Sequence, residues 1–138
     1  MDTERLSDAV PIRVPKFLGL RHLFSTFRFS YDGFVACIRS EVAFRQEIIV
    51  AIVNLIAVIA LPLSLELRLL MIALSVIVIC VELINTAVEA TVDLVTLERH
   101  PLAKKAKDIC SAAVFFAVTL FVGCWIAIGI NLIWEKWI

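Results

Sequence analysis

Four polar residues share one face of an otherwise apolar stretch: Glu82, Asn85, Glu89 and Asp93. On a helix they fall at about 0°, −60°, −20° and +20°, an arc of roughly 80°. Leu83, Ile84, Ala87, Val88, Ala90 and Val92 make up the remaining faces and suit lipid or neighbouring helices. Glu82 lies ~20 Å from the outer end of its helix at ~1.5 Å per residue, still within a bilayer. A carboxylate at that depth costs on the order of 2.5–3.5 kcal/mol on insertion scales. Carboxylates retained at such a cost suit proton transfer or cation binding. A set of Glu and Asn oxygens selects a hard cation, and Mg²⁺ near an interface is usually shared with substrate phosphates. The competing structural reading is a hydrogen-bonded cluster between helices, which Asn85 alone would satisfy, with Thr86, Ala87 and Ala90 allowing close approach. Such glue needs only one or two polar groups and favours neutral ones.

Two polar patches flank the stripe. One runs Ser40-Glu41-Val42-Ala43-Phe44-Arg45-Gln46-Glu47; the other runs from Glu98, Arg99 and His100 through Lys104, Lys105 and Lys107 to Asp108. Lys104, Lys107, Asp108 and Ser111 share a helical face at i, i+3, i+4 and i+7. Lysines there can hold a polyphosphate as point charges. They also fit the ordinary basic charge of a cytoplasmic loop.

The elements that must position these residues are helical and membrane-embedded. The chain of 138 residues is 62% hydrophobic and 19% charged, below the ~25% charged of soluble domains. Its mean hydropathy is +0.98. The pattern predicts an all-α integral membrane protein with one domain over residues 17–138, preceded by a disordered cytoplasmic tail over 1–16. An amphipathic surface helix is expected at about 17–40, where Phe17, Leu20, Phe24, Phe27 and Phe34 alternate with Arg21, His22, Arg28 and Asp32. Membrane spans are expected at about 46–65, 68–95 and 108–134. Trp125, Trp134 and Trp137 suit an interfacial belt at the far end of the third. Basic residues gather on the side holding the N-terminus, so that end is read as cytoplasmic and the C-terminus as outside, in a bacterial inner membrane.

Other chemistries find no support in the sequence. Thirteen basic and thirteen acidic residues balance, so no global field argues for nucleic acid. There is no Gly-rich phosphate loop among the four scattered glycines. Cys37, Cys80, Cys110 and Cys124 form no CxxC pair, and three sit in apolar surroundings where Cys behaves as a small hydrophobe. The N-terminus, with mixed charges, Pro11 and Pro15, lacks the apolar core of a signal peptide.

Three strings together resemble the prokaryotic diacylglycerol kinase family, small trimeric membrane lipid kinases that include undecaprenol kinases. They are Glu41 to Glu47, Val81 to Asp93, and Ala106-Lys107-Asp108-Ile109-Cys110-Ser111-Ala112-Ala113. The most specific is E-x-x-N-[ST]-A-[IV]-E-A-x-[IV]-D from Glu82 to Asp93. The resemblance implies a homotrimeric bundle that phosphorylates a membrane lipid alcohol with ATP and Mg²⁺, on sites shared between subunits. Glu82 would be the general base toward the lipid hydroxyl, and Glu41 and Glu89 would bind the Mg²⁺ that bridges ATP phosphates. Asn85 would position the site, with Asp93 as support. Lys107 and Asp108 would meet phosphates and nucleotide, and Glu98, Arg99 and His100 would line the nucleotide. Ala43, Phe44, Arg45, Gln46, Glu47 and Ser111 fall where the family contacts lipid or supports the site. The chain departs from the family near its start. His22 stands where a functional Arg is usual, with Arg21 and Arg28 nearby, and Phe29 stands where a Tyr would offer a hydroxyl to the nucleotide site.

Diacylglycerol is the acceptor that the Ala43-Phe44-Arg45-Gln46-Glu47 string favours, whereas Asp93-Leu94-Val95-Thr96 and His100-Pro101-Leu102-Ala103-Lys104 also occur in the undecaprenol branch. A different class of reading is a small proton- or cation-coupled transporter subunit using the acidic stripe as a relay. It would need no nucleotide and gives Lys107-Asp108 no task. A purely structural bundle is the third reading, and in it Glu82→Gln would be harmless.

Overall fold

The computed structural model describes residues 20–96 and 98–137. They form four helices in chain order: α1 (Leu20–Ser40), α2 (Val42–Ala60), α3 (Leu65–Val95) and α4 (Pro101–Trp137). No strand occurs among the described residues. The last three helices are each long and apolar enough to cross a membrane. The tail expected over residues 1–16, and residues 17–19 of the expected surface helix, lie outside the described residues.

Local chemistry sets where the helices stop and start. α2 begins at Val42, four residues before the expected span, with Glu41 extended at its N-cap (φ −102°, ψ 123°). It ends at Ala60 rather than near residue 65. Leu61 precedes Pro62 and is pushed out of the helical region, to φ −84° and ψ 150°. Ser64 then starts α3 earlier than expected, its hydroxyl accepting from the Leu67 N–H at 3.4 Å. α4 also begins early, at Pro101, because proline is pre-set for the first helical position and loses no needed donor there. The segment holding Lys104, Lys107 and Asp108 is therefore already helix.

The chain divides into two compact units, up to Gly33 and from Phe34 onward. In the first, α1 exposes Phe24, Phe27, Phe29 and Tyr31 beside an Arg28–Asp32 ion pair at 3.8 Å. That mixture suits a helix lying in a membrane interface. In the second, α3 is the middle element, packing against both α2 and α4. Its core joins Val58 of α2 and Leu63 of the connection to Met71, Leu74 and Val78 of α3, and to Phe121 and Ile128 of α4.

A polar hub sits within this core. The buried Asn54 amide donates to the Met71 carbonyl at 3.1 Å and to Ser75 Oγ at 3.3 Å. Its Oδ1 accepts from the Trp125 indole N–H at 3.0 Å. Trp125 is thus turned toward the bundle, not into an interfacial belt. At the turn between α2 and α3, half-buried Arg68 donates to the Leu63 and Leu61 carbonyls at 3.0 and 3.2 Å, tying the first turn of α3 back to the connection.

Candidate active site

The acidic stripe is on α3, and Glu82 is the buried member, with 4% of its surface exposed. Charges of Glu89, Glu41 and Glu47 all act on it, so α2 and its N-cap bring two further carboxylates to the stripe. Asn85 bonds weakly along the helix, its Nδ2 donating to Glu89 Oε1 at 3.5 Å. Its Oδ1 is buried with no partner among the described residues, as is Glu47 Oε2. An unpaired oxygen of that kind costs about 1–3 kcal/mol unless a donor or cation meets it. The Glu41 side chain makes no capping bond to α2 and is left half-buried.

Cys37, one turn before Glu41 on α1, closes the cluster from another side. Burial first, then the Glu41 and Glu82 charges, push its thiol above the ordinary range, against a smaller lowering from its hydrogen bond with Thr86. Nothing in the sequence marks Cys37 and Thr86 as neighbours of the stripe, beyond their spacing of four residues from Glu41 and Glu82.

Along α3 toward its C-terminus the setting changes from buried carboxylates to an open cavity of about 640 Å³. Asp93, Thr96, Glu98, Arg99, His100, Lys104, Lys107 and Asp108 supply its polar lining. Lys107 Nζ reaches from α4 to Asp93 Oδ1 on α3 at 2.6 Å. Lys104 pairs with Asp108 one turn along α4. The Glu98 N–H donates to Thr96 Oγ1 at 3.1 Å, and His100 Nδ1 accepts from the Leu102 N–H at 3.2 Å. His100 thereby caps the first turn of α4 with its side chain in the exposed rim. Thr96 and Lys104 join the lining although the motif did not single them out as site residues. Lys104 is foreshadowed by the shared face with Lys107.

The expected support residues divide. Phe44 is fully buried and meets Phe34 edge-on, with ring centroids 5.2 Å apart, so it anchors the junction of α1 and α2. Arg45 Nη1 donates to the Ile38 and Arg39 carbonyls at 2.9 and 3.4 Å, closing the end of α1. Ala43, Gln46 and Ser111 are exposed, and Glu47 is half-buried toward the stripe. His22 and Phe29 belong to the unit ending at Gly33 and are exposed there. The His22 carbonyl accepts from Ser25 and Thr26 hydroxyls at 2.8 and 2.9 Å.

No group of three His, Cys, Asp or Glu side chains capable of holding a metal is present among the described residues. Glu41, Glu89 and the unpaired Asn85 Oδ1 are nevertheless all oxygen donors. Such a set fits Mg²⁺, which is commonly held by one or two carboxylates together with waters and phosphate oxygens rather than by a full protein cage.

Residues 28–129 match the family model described as prokaryotic diacylglycerol kinase. A diacylglycerol kinase of Pseudomonas aeruginosa is 44% identical over 110 residues, covering 80% of this chain and 89% of that protein. Proteins of the same name from Haemophilus influenzae and Escherichia coli are 37% and 34% identical over 111 and 107 residues. Those alignments cover 76% and 78% of this chain, and 89% and 88% of the relatives.

Proposed function

This chain belongs to the prokaryotic diacylglycerol kinase family, and from that membership we propose that it phosphorylates diacylglycerol to phosphatidic acid with Mg²⁺-ATP, using Glu82 as the general base. It is a membrane-embedded lipid kinase with ATP as co-substrate. The observation that carries the finer reading is the burial of Glu82 on the same helical face that leads to the polar cavity. The eleven steps along the helix from Glu82 to Asp93 span about 16 Å at ~1.5 Å per residue. A hydroxyl approaching from the bilayer and a nucleotide approaching from water would meet along that line.

In the proposed step the lipid hydroxyl oxygen attacks the γ-phosphorus as the bond to the β-bridging oxygen breaks, and Glu82 takes the hydroxyl proton. ADP leaves with the bridging oxygen. Such transfers depend mainly on positioning and charge neutralisation. Lys107 contributes a positive charge at the cavity, with Asp108, Glu98, Arg99 and His100 around the nucleotide. Glu41 and Glu89 would hold Mg²⁺, whose bound charge offsets that of the phosphates. Asn85 keeps Glu89 in place, and Glu47 and Ser111 support the site. The family resemblance assigns His22 and Phe29 of the surface helix to nucleotide binding. We place the protein in the bacterial inner membrane with its N-terminus cytoplasmic and its C-terminus outside, as a homotrimer with sites shared between subunits.

Phosphate transfer from ATP to diacylglycerol and to undecaprenol in detergent micelles, with and without Mg²⁺, tests the reading. Diacylglycerol should be strongly preferred, and a clear preference for undecaprenol would overturn the choice of acceptor. Glu82→Gln should lower kcat at least about 100-fold, the scale of a lost general base, while leaving Mg²⁺-ATP binding intact. Near-normal turnover in that variant would remove Glu82 from the role.

A further inference from the structure

Lys107 is the one cation of the cavity rim that reaches across to another helix for its partner. On α4 its neighbours at three and four residues are Lys104, Ala103, Cys110 and Ser111, so its own helix offers it no acid. Lys104, by contrast, has Asp108 at the favourable spacing and takes it. Lys107 turns instead to Asp93 on α3 at 2.6 Å, and both residues line the 640 Å³ cavity. The bond is open to water, with 36% of the Lys107 side chain and 49% of the Asp93 side chain exposed. An exposed pair of this kind contributes little to stability and is readily exchanged. A polyphosphate offers more oxygens and more charge than one carboxylate and forms strong charge-assisted bonds with an ammonium group.

We propose that Asp93 is a stand-in for phosphate: it holds Lys107 at the cavity rim while the nucleotide site is empty and releases it when a polyphosphate enters. Asp93 is in this sense a positioning residue. It keeps the lysine ordered and aimed at the cavity, and it never needs to touch the reacting atoms. The balance of charge around the rim favours the exchange. Arg99, Lys104 and Lys107 face Asp93, Glu98 and Asp108, so the empty cavity is self-neutralised and an arriving anion gains by replacing an existing partner. This inference rests on the kinase reading, since it takes the cavity to be the nucleotide site.

Zero-length cross-linking distinguishes a replaceable partner from a permanent clamp between α3 and α4. A water-soluble carbodiimide activates the Asp93 carboxyl, and the unprotonated fraction of the Lys107 amine attacks it. An amide forms and the carbodiimide leaves as its urea. In the full-length protein in micelles, peptide mass spectrometry should find the Asp93–Lys107 link in the absence of nucleotide. Mg²⁺-ATP at ten times its dissociation constant, with reagent in excess over nucleotide, should reduce its yield about tenfold by occupancy. Protein linked beforehand should in turn bind Mg²⁺-ATP at least about tenfold more weakly than unlinked protein, having lost a charge-assisted phosphate contact. A link that never forms, or one whose yield is unchanged while calorimetry shows Mg²⁺-ATP bound, overturns the exchange and leaves the kinase reading standing. Failure of the untreated protein to bind Mg²⁺-ATP at all would sink the kinase reading and the exchange with it.

Discussion

Cys37 lies four residues before Glu41, buried where α1 approaches its end, with the Glu41 and Glu82 charges acting on it. Both burial and the negative charges oppose formation of a thiolate, and only the thiolate is a good nucleophile. A thiol pushed above its ordinary range stays protonated through neutral pH and deprotonates only at higher pH than a free cysteine, which titrates at about 8.5. Alkylation of Cys37 by iodoacetamide, followed by peptide mass spectrometry, should therefore be slow at pH 8 and rise only above the range of a free thiol. Glu41→Gln should move that rise to lower pH by removing one of the opposing charges. Reaction at pH 8 at the rate of a small free thiol would contradict the arrangement. The stripe itself was legible in the sequence, because four polar residues at helical spacing in an apolar run declare a face by arithmetic alone. The partner of Lys107 was not. Asp93 is fourteen residues away, and their meeting depends on how α3 crosses α4. The unpaired Asn85 Oδ1 was equally invisible, since residue type reveals a capacity for hydrogen bonds but not whether it is met.

At the scale of elements, one polar hub ties three membrane helices together through Asn54, Ser75 and Trp125. Apolar side chains gain little from leaving lipid for one another, so packing and interhelical hydrogen bonds carry more of the association in a bilayer than in water. Measured bonds of this kind average about 0.6 kcal/mol and reach about 1.7. Trp125→Phe keeps most of the ring's packing and removes only the donor. It should destabilise the detergent-solubilised protein by about 0.5–1.7 kcal/mol. Asn54→Leu removes three bonds and should cost more, and the double variant should fall short of the sum because the two residues share a bond. Denaturation by increasing detergent strength, followed by helicity, reads these values; strict additivity would show the indole–amide bond to be energetically idle. Turn chemistry explains why helix existence was easier to read than helix ends. Pro62 announces a stop, yet the stop falls at Ala60 because proline disfavours helix in the residue before it. The direction in which Trp125 faces is hidden from the sequence for a related reason. Distance along a helix suggests depth, but which way an indole points is decided by whether a buried acceptor such as Asn54 lies opposite.

At the scale of the whole molecule, composition alone announced a membrane protein, and the three long apolar helices agree. How much of each span a single chain covers could not be read that way. Of the most apolar windows, 28% is buried for α3, 17% for α2 and 11% for α4, so most of their surface faces lipid or another copy. α2 and α4 both pack on α3, and between themselves only side chains such as Asn54 and Trp125 meet. That leaves the flanks of the central helix open to a neighbouring subunit in the proposed trimer, and a neighbour placed there could supply α4 lysines to the carboxylates of α3. Mixing Glu82→Gln chains with Lys107→Ala chains, each expected to have lost most of its activity alone at limiting Mg²⁺-ATP, tests this sharing. If Glu82 and Lys107 of one site come from different subunits, an equal mixture that reassembles at random has both intact in about a quarter of sites. Activity should then recover to about a quarter of the unmutated level. If both residues of each site belong to one chain, every site in the mixture retains a defect, and reassembly yields no recovery at any mixing ratio. Dilution with a chain carrying both substitutions should reduce the recovered activity in proportion to the loss of complementary neighbours, which ties the signal to the interface rather than to partial activity of either variant.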